Sequence, residues 1–363
     1  MMKNTVWSCT LIALATSLSA CVAPSGDDLA AADESAASQS DALSADKSFV
    51  TAHGTELRLA GKDFGFLGVN VYDLAGGPGA SRCYLEHNPG HYGHDLDVIF
   101  GQLAAMKVNA VRFWASQSYA GASGHDFTLI DEVVAHARAR HIRLIPVLED
   151  YTEFCSPTNA RKTTAWFQGG YKHHYGYPLT FPGYIERFVE HFRDEPAILA
   201  YQIMNEAECE DAAALRAFAH ETSGLIKSLD HHHLVSFGTL GSGQHGIAGD
   251  DYRKLHEDPN IDLVEAHDYG YETHALTPYV AADLAVANAL HKPFFLGEMG
   301  IDLGSFSRAD RARYLDAKLK AAAHAGISGV LIWSFGLGDG SFQFNATSGD
   351  PLVHVLEKDR ALY

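Results

Sequence analysis

The strongest constraint on the fold is an alternation of apolar runs of strand length with amphipathic stretches of helix length. Eight apolar runs fit β-strands, at residues 66–71, 110–114, 143–148, 199–205, 234–238, 263–267, 294–298 and 329–333. Helical spacing of apolar residues marks the stretches between them, at residues 96–106, 130–140, 184–192, 212–229, 252–256, 280–290 and 308–325. This pattern is typical of a parallel sheet with helical crossovers. Its number of units favours a (β/α)8 TIM barrel in a single domain over a doubly wound α/β sheet.

Two of these runs end in a carboxylate. Residues 199–206 read Leu-Ala-Tyr-Gln-Ile-Met-Asn-Glu and end in Asn205 and Glu206, and residues 294–298 end in Glu298. A charge at the end of a buried parallel strand is costly to desolvate unless it has a use. The carboxyl ends of all strands of such a barrel meet at its active face. A pair of carboxylates at that face can cleave a glycosidic bond.

Polar and aromatic residues follow the other strands in a recognisable order. The set consists of Arg112, Asn205, Glu206, His267, Tyr269, Glu298 and Trp333. It resembles glycoside hydrolase family 5, a family of retaining (β/α)8-barrel glycosidases, over roughly residues 49–356. The resemblance implies that Glu206 is the proton donor, with its pKa raised by its site, and that Glu298 is the nucleophile.

The resemblance also implies roles for the remaining residues. Arg112 would orient the nucleophile and keep it ionised, and Tyr269 would donate a hydrogen bond to it. Asn205 would bind the 2-hydroxyl of the sugar, while His267 matches the family's histidine on the loop after the sixth strand. Trp333 would form the floor of the subsite that holds the attacked sugar. Aromatic rings crowd the loop at 149–181, and we expect one of them, Trp166, to contact substrate.

Two second-layer positions depart from the family pattern, and other features bear on the branch within the family. Ala207 stands where a proline is common, and Met299 stands where an aromatic residue is usual. The third strand ends in Leu-Glu-Asp at residues 148–150 and lacks the histidine of cellulase-type members. That absence, together with residues 49–74 and the Phe-Leu-Gly-Glu-Met-Gly segment at 295–300, looks more similar to the endo-β-1,4-mannanases, and the resemblance implies an endo-acting hydrolase of β-1,4-mannan that needs no cofactor. The alternatives are a β-1,4-glucanase of the same family and a surface glycan-binding lipoprotein without catalysis.

The N-terminal region predicts export. Residues 1–20 carry Lys3 and an apolar stretch, which is typical of a signal peptide. They end in Leu-Ser-Ala before Cys21, which resembles a lipoprotein signal and implies a lipid on Cys21; the alternative is an ordinary signal cut near Ala20. Residues 21–47 are rich in Ala, Ser and Asp and predict a disordered tether. Residues 48–363 form the predicted barrel domain, which begins with a small hairpin at 49–59.

The formal net charge of −18 argues against nucleic acid and anionic lipid as partners. We expect a monomer that acts on a neutral polysaccharide or oligosaccharide and touches the membrane only through Cys21. The cell envelope or the exterior is therefore the expected location.

Histidines and cysteines allow two further readings. The 21 histidines include runs at 173–174 and 231–233, but they lack metal-ligand spacing. We therefore predict solvated loop histidines and no metal; the alternative is a metal-dependent barrel hydrolase.

Three cysteines remain after export, Cys83, Cys155 and Cys209, and one pair of them can form a disulfide. Cys155 with Cys209 and three free thiols are both compatible with the sequence.

Overall fold

This computed structural model describes residues 47–76, 95–152, 156–158, 160–270, 275–336 and 340–363. Within these residues eight parallel strands, whose ranges follow, form one sheet in the order β8-β7-β6-β5-β4-β11-β10-β9. The strands are β4 (Phe66–Asn70), β5 (Ala110–Trp114), β6 (Arg143–Val147), β7 (Ala200–Gln202), β8 (Leu234–Ser236), β9 (Val264–Asp268), β10 (Phe294–Met299) and β11 (Gly329–Ile332). A parallel bridge between Ser236 and Leu263 joins the two outer strands. The sheet therefore curves round into a (β/α)8 barrel, as predicted.

Nine α-helices accompany these strands within the described residues. They are α1 (Leu96–Ala105), α2 (Thr128–Arg138), α3 (Thr164–Phe167), α4 (Phe181–Phe192), α5 (Ala212–Leu229), α6 (Asp250–His256), α7 (Pro278–Leu290), α8 (Arg308–His324) and α9 (Pro351–Asp359). Several begin at a side chain that accepts from the first-turn amides, such as Asp95, Asp211 and Ser307. Such caps satisfy amides that have no partner within the helix, so the sequence fixes these starts locally.

A small antiparallel sheet closes the end of the barrel opposite the carboxyl ends of the strands. It consists of β1 (Val50–His53), β2 (Glu56–Leu59) and β3 (Lys62–Phe64). Val50 and Leu57 belong to the same apolar cluster as Phe66, Ile145 and Phe295 of the barrel strands. The predicted hairpin at 49–59 is therefore present, and β3 extends it by a third strand.

Most predicted elements match the observed ones closely. The strand at residues 110–114 and the helix at 212–229 have the predicted bounds, and the short candidate at 252–256 is part of α6. The predicted strand at 199–205 is regular only over β7, because its later residues bond irregularly to both neighbouring strands. Helices α3 and α9 were not predicted, and α3 lies within the predicted loop at 149–181.

The predictions for the cysteines, the histidines and the N-terminal segments have different outcomes. Cys209 is a buried free thiol in the structure, whereas Cys83 and Cys155 lie outside the described residues, as do the signal segment and nearly all of the tether. His233 is buried and bonded to Asp230, so it is not a solvated loop histidine as predicted. Across the described ranges, no helix is long and apolar enough to cross a membrane.

Candidate active site

Glu298 lies near the carboxyl end of β10 and is almost fully buried, at 4% exposure. Its Oε1 accepts a hydrogen bond of 2.7 Å from Nη1 of Arg112, and its Oε2 accepts one from the Tyr269 hydroxyl. Burial and the negative charge of Glu298 raise the pKa of Tyr269, so this hydroxyl stays protonated and donates. The two donors fix both oxygens of the carboxylate in place.

Glu206 follows β7 in a left-handed backbone conformation, with φ of 47°. Its amide donates to the carbonyl of Gly238 at 2.8 Å, after the neighbouring strand β8. A Cβ on Gly238 would lie 1.9 Å from the carbonyl oxygen of Met204, so only glycine allows these two chain segments to approach. This turn points the Glu206 carboxylate into the barrel mouth, where its side chain is 28% exposed.

His267 lies between the two carboxylates. Its Nδ1 donates to Oε1 of Glu206 at 2.6 Å and lies 3.7 Å from Oε2 of Glu298. One oxygen of each carboxylate and one nitrogen of His267 all lie within 4.8 Å of one another. The two predicted catalytic glutamates therefore face each other at close range.

Arg112, at the centre of β5, is fully buried and serves four acceptors. Besides Glu298, it donates to Oδ1 of Asn70 at 2.9 Å and to Oε1 of Gln202 at 2.9 Å. Its fourth acceptor is Oδ1 of Asn205 at 2.6 Å. One guanidinium thus holds together groups from β4, β7 and β10, which explains why it lies at this position. We assign no metal here, because a cation would lie beside this positive charge.

Asn205 is held from two sides. Its Oδ1 faces Arg112, and its Nδ2 donates to Oδ1 of Asp150 at 3.2 Å. Burial raises the pKa of Asp150, and the nearby Lys162 ammonium opposes this rise. Because the amide nitrogen carries two hydrogens, the second stays available for a ligand in the barrel mouth.

Three aromatic rings line the same face. Trp333, which follows β11, stacks on Tyr72 with ring centroids 5.8 Å apart and planes 20° apart. Trp114 packs against Trp333 at 5.9 Å. Because Trp333 is only partly buried, part of its ring stays accessible, as a sugar platform requires.

Trp166 does not join this group. It is 3% exposed and packs among the rings of Phe167, Tyr171, Phe181 and Phe218. The prediction that Trp166 contacts substrate is therefore wrong. Its ring faces helices α4 and α5 and fills the core under the loop.

The charges of the cluster are coupled. Burial opposes protonation of His267, but the carboxylates of Glu298, Glu206 and Glu265 raise its pKa to about 10. Burial also favours neutral Glu206, yet the hydrogen bond and charge of His267 lower the pKa of Glu206. The expectation that this pKa is raised is wrong for the free protein, because His267 holds the proton. Burial raises the pKa of Glu298, against the effects of His267, Arg112 and Tyr269.

Sequence reasoning missed several polar residues of the site. Asn70, Gln202 and Glu265 lie within buried strands, and Asp150 follows β6. The available signal was the one used for the two glutamates, a polar side chain inside an apolar strand. Tyr72, directly after β4, gave no comparable signal.

The fold and the cluster together define a class, that of the barrel glycoside hydrolases. The family model described as GH family 5 beta-mannosidase-like matches residues 149–324, a range that includes Glu206, His267 and Glu298. Over this range the chain is similar to glycoside hydrolase family 5.

Individual relatives and solved structures are similar to most of this chain. A mannan endo-1,4-beta-mannosidase F from Aspergillus fumigatus is 24% identical over 336 residues, which cover 80% of this chain and 71% of that protein. The endo-1,4-beta-mannanase structure from Rhizomucor miehei has a TM-score of 0.69 at 18% identity and covers 87% of this chain and 99% of that one. The endo-beta-1,4-mannanase structure from Thermotoga petrophila has a TM-score of 0.64 at 20% identity and covers 83% and 77%.

Proposed function

We propose that this protein is a retaining, endo-acting β-1,4-mannanase, with Glu298 as nucleophile and Glu206 as acid and base. The observation that carries the retaining mechanism is the approach of the two carboxylates to within 4.8 Å. Retaining enzymes place their two carboxyl groups about 5 to 5.5 Å apart, whereas inverting enzymes need about 6.5 to 9.5 Å to admit a water molecule. The distance in this site supports direct attack by Glu298.

The first chemical step forms a covalent glycosyl-enzyme. An oxygen of Glu298 attacks the anomeric carbon, the bond from that carbon to the leaving oxygen breaks, and Glu206 gives the leaving oxygen its proton. Arg112 and Tyr269 hold the attacking carboxylate in line. The free N–H of Asn205 is placed to bind a sugar hydroxyl, and the open part of the Trp333 ring is placed to stack under the sugar.

The second step reverses these roles. Glu206 takes a proton from water, the water oxygen attacks the anomeric carbon, and the bond to Glu298 breaks with retention of configuration. The proton returns along the 2.6 Å hydrogen bond that joins Glu206 to His267. These two residues therefore act as one proton-holding pair, with the proton on His267 in the resting protein and on Glu206 when the leaving oxygen needs it.

The choice of β-mannan rests on the relatives, because the matched proteins are named as mannan endo-1,4-beta-mannosidases. The formal charge of −18 suits a neutral polysaccharide. The alternative substrate is β-1,4-glucan, because the same cluster would cleave either backbone. A non-catalytic glycan-binding protein is disfavoured by a complete set of donors around Glu298.

Release of reducing ends from galactomannan, glucomannan, carboxymethylcellulose and mixed-linkage β-glucan tests this proposal. Glu298→Ala serves as the blank, and chromatography of early products separates endo from exo action. We expect long oligosaccharides from the mannans and, by NMR of fresh products, the β-anomer first. Cleavage of glucans alone would refute the proposed substrate. If α-anomers formed first, the retaining mechanism would be refuted. If the folded protein cleaved none of the polysaccharides, the proposed enzymatic activity would be refuted.

We also propose, from the sequence alone, that the protein is exported, carries a lipid on Cys21 and is a monomer. The small residues before Cys21 and the Ala/Ser/Asp-rich segment after it support a domain held off a membrane by a tether. Mass spectrometry of the mature N-terminus tests the lipid, and an unmodified Cys21 would overturn it.

A further inference from the structure

Glu265, the second residue of β9, is a third buried carboxylate that the reaction above does not use. It has no exposed surface, and both of its oxygens accept from Nε2 of Gln202, at 2.8 and 2.7 Å. The hydroxyl of Ser236 also donates to it. Within the described part of the chain, its only ion pair is with His267, whose Nε2 lies 3.4 Å from its Oε1. A carboxylate so deeply buried needs a cationic partner.

His267 therefore lies among three carboxylates. Its Nδ1 faces Glu206 at 2.6 Å and Glu298 at 3.7 Å, while its Nε2 faces Glu265. A neutral imidazole donates through one nitrogen only, whereas an imidazolium donates through both. The three negative neighbours favour the form that donates on both sides.

Gln202 favours the ionised form of Glu265. Its Oε1 accepts from Nε of Arg112 at 2.9 Å, so its amide N–H groups point to Glu265. Donors aimed at both oxygens stabilise a carboxylate over a carboxylic acid. The same bonds complete a ring of polar contacts that runs from Glu298 through Arg112, Gln202 and Glu265 to His267 and back to Glu298.

Gly297 provides the space for the contact between Glu265 and His267. A Cβ at this position would lie 1.9 Å from Oε1 of Glu265 and 3.0 Å from Nε2 of His267. Gly297 directly precedes Glu298 in β10, so the strand that carries the nucleophile also carries the gap behind His267.

We propose that Glu265 is a positioning residue that acts through His267 to keep the catalytic proton on the Glu206–His267 pair at neutral and mildly alkaline pH. The inference rests on the proposed glycosidase function for its kinetic consequence, but the charge of His267 can be measured without turnover. Arg112 is a further charged group near Glu265, one hydrogen-bonded residue away through Gln202. Tyr252 of α6 donates to the backbone oxygen of Glu265 and stays neutral, because burial raises its pKa.

The Glu265→Gln substitution removes one negative charge from beside the pair and keeps the shape of the side chain. Removing an anion lowers the proton affinity of the pair, whichever atom holds the proton. The pair then loses its proton at lower pH, and the basic limb of kcat/KM on soluble mannan shifts down by about one pH unit. An unshifted limb in folded Glu265→Gln protein would overturn the proposal.

Asp230→Asn is the matched control. Asp230 is also a buried carboxylate that accepts from a buried histidine, His233, but the pair lies between α5 and β8 outside the cluster. We expect this variant to lose stability and to keep the basic limb of the wild type. In a His267→Asn background, Glu265→Gln should cause no further shift of the limb; an equal shift in that background would mean that Glu265 does not act through His267.

Nitrogen NMR of the His267 ring gives a readout without activity. The signal is assigned by its loss in His267→Asn, at a pH between the ordinary value of 6.5 and about 10. We expect two protonated ring nitrogens in the wild type and loss of one at lower pH in Glu265→Gln. A neutral His267 in active wild-type protein would refute the role of Glu265 but not the proposed function. A charged His267 in protein that cleaves no polysaccharide would refute the proposed function but not the role of Glu265.

A second variant covers the case in which Glu265→Gln does not fold. Ser236→Ala keeps the carboxylate but removes one of its donors, so the charge of Glu265 depends more strongly on His267. We expect the His267 transition and the basic limb to shift to higher pH, opposite to the shift in Glu265→Gln and by a smaller amount. No shift of either in folded Ser236→Ala protein would also count against the proposal.

Discussion

The Tyr269→Phe substitution should shift the acid limb of the reaction to higher pH. The Tyr269 hydroxyl is the hydrogen-bond donor to Oε2 of Glu298, and the next donor, Nδ1 of His267, lies 3.7 Å away. Because Glu298 is 4% exposed, water cannot replace the lost donor. A hydrogen bond to a buried charged group contributes about 1.5 to 3 kcal/mol. Since one pKa unit corresponds to about 1.4 kcal/mol, the pKa of Glu298 should rise by about one to two units.

The sign follows from the role of the nucleophile. Glu298 attacks only as a carboxylate, so a higher pKa removes the active form at the acid end of the profile. The measurement is kcat/KM on soluble mannan across the acid range, in the wild type and in Tyr269→Phe. Tyr171→Phe is the matched control, because Tyr171 also donates its hydroxyl to a carboxylate, Glu221, far from the cluster. An acid limb that stays in place in Tyr269→Phe would refute the view that this hydroxyl stabilises ionised Glu298.

Three further predictions concern stability. Arg112→Met leaves Glu298 as a buried charge without its guanidinium, and urea unfolding should show a loss of about 3 to 5 kcal/mol; a loss below about 1 kcal/mol would contradict this. Gly238→Ala should lower both Tm and kcat, because its Cβ would lie 1.9 Å from the Met204 carbonyl and φ is 95°; an unchanged Tm would count against the close approach. Because the pKa of His267 is raised from 6.5 to about 10, its stabilisation is complete below the lower value and is lost as pH rises through the higher one. Urea unfolding at several pH values should show this loss in the wild type and a flatter curve in His267→Asn; parallel curves would refute it.

The barrel could be predicted from sequence because each of its units carries its own local signal. A buried strand such as β11 is apolar along its whole length, and a helix such as α5 has both a capping aspartate and an apolar face. The bounds were less certain where tertiary contacts decide. The chain beyond Gln202 keeps the composition of a strand, but its backbone turns through the left-handed Glu206 and leaves the regular ladder.

Aromatic side chains on the loops were the least predictable part of the site. Trp166 and Trp333 look alike in sequence, since each is a tryptophan at the active face of a predicted barrel. The structure separates them by their neighbours, because Trp166 is enclosed by rings from α4 and α5, while Trp333 follows a strand and keeps part of its surface. Burial of a loop residue depends on how the loop folds back on the helices, and no local pattern encodes that.

Polar residues inside predicted buried strands indicate the site more fully than the sequence analysis recognised. Glu206 and Glu298 attracted attention because each ends an apolar run, yet Gln202 and Glu265 lie inside such runs and carry the same desolvation cost. Below the barrel mouth they offset that cost for one another, since Gln202 donates to Glu265 and accepts from Arg112. A buried charge therefore requires further buried polar groups behind it. The residues that face the substrate in a barrel such as this one should accordingly be sought together with the polar side chains one layer deeper in the same strands.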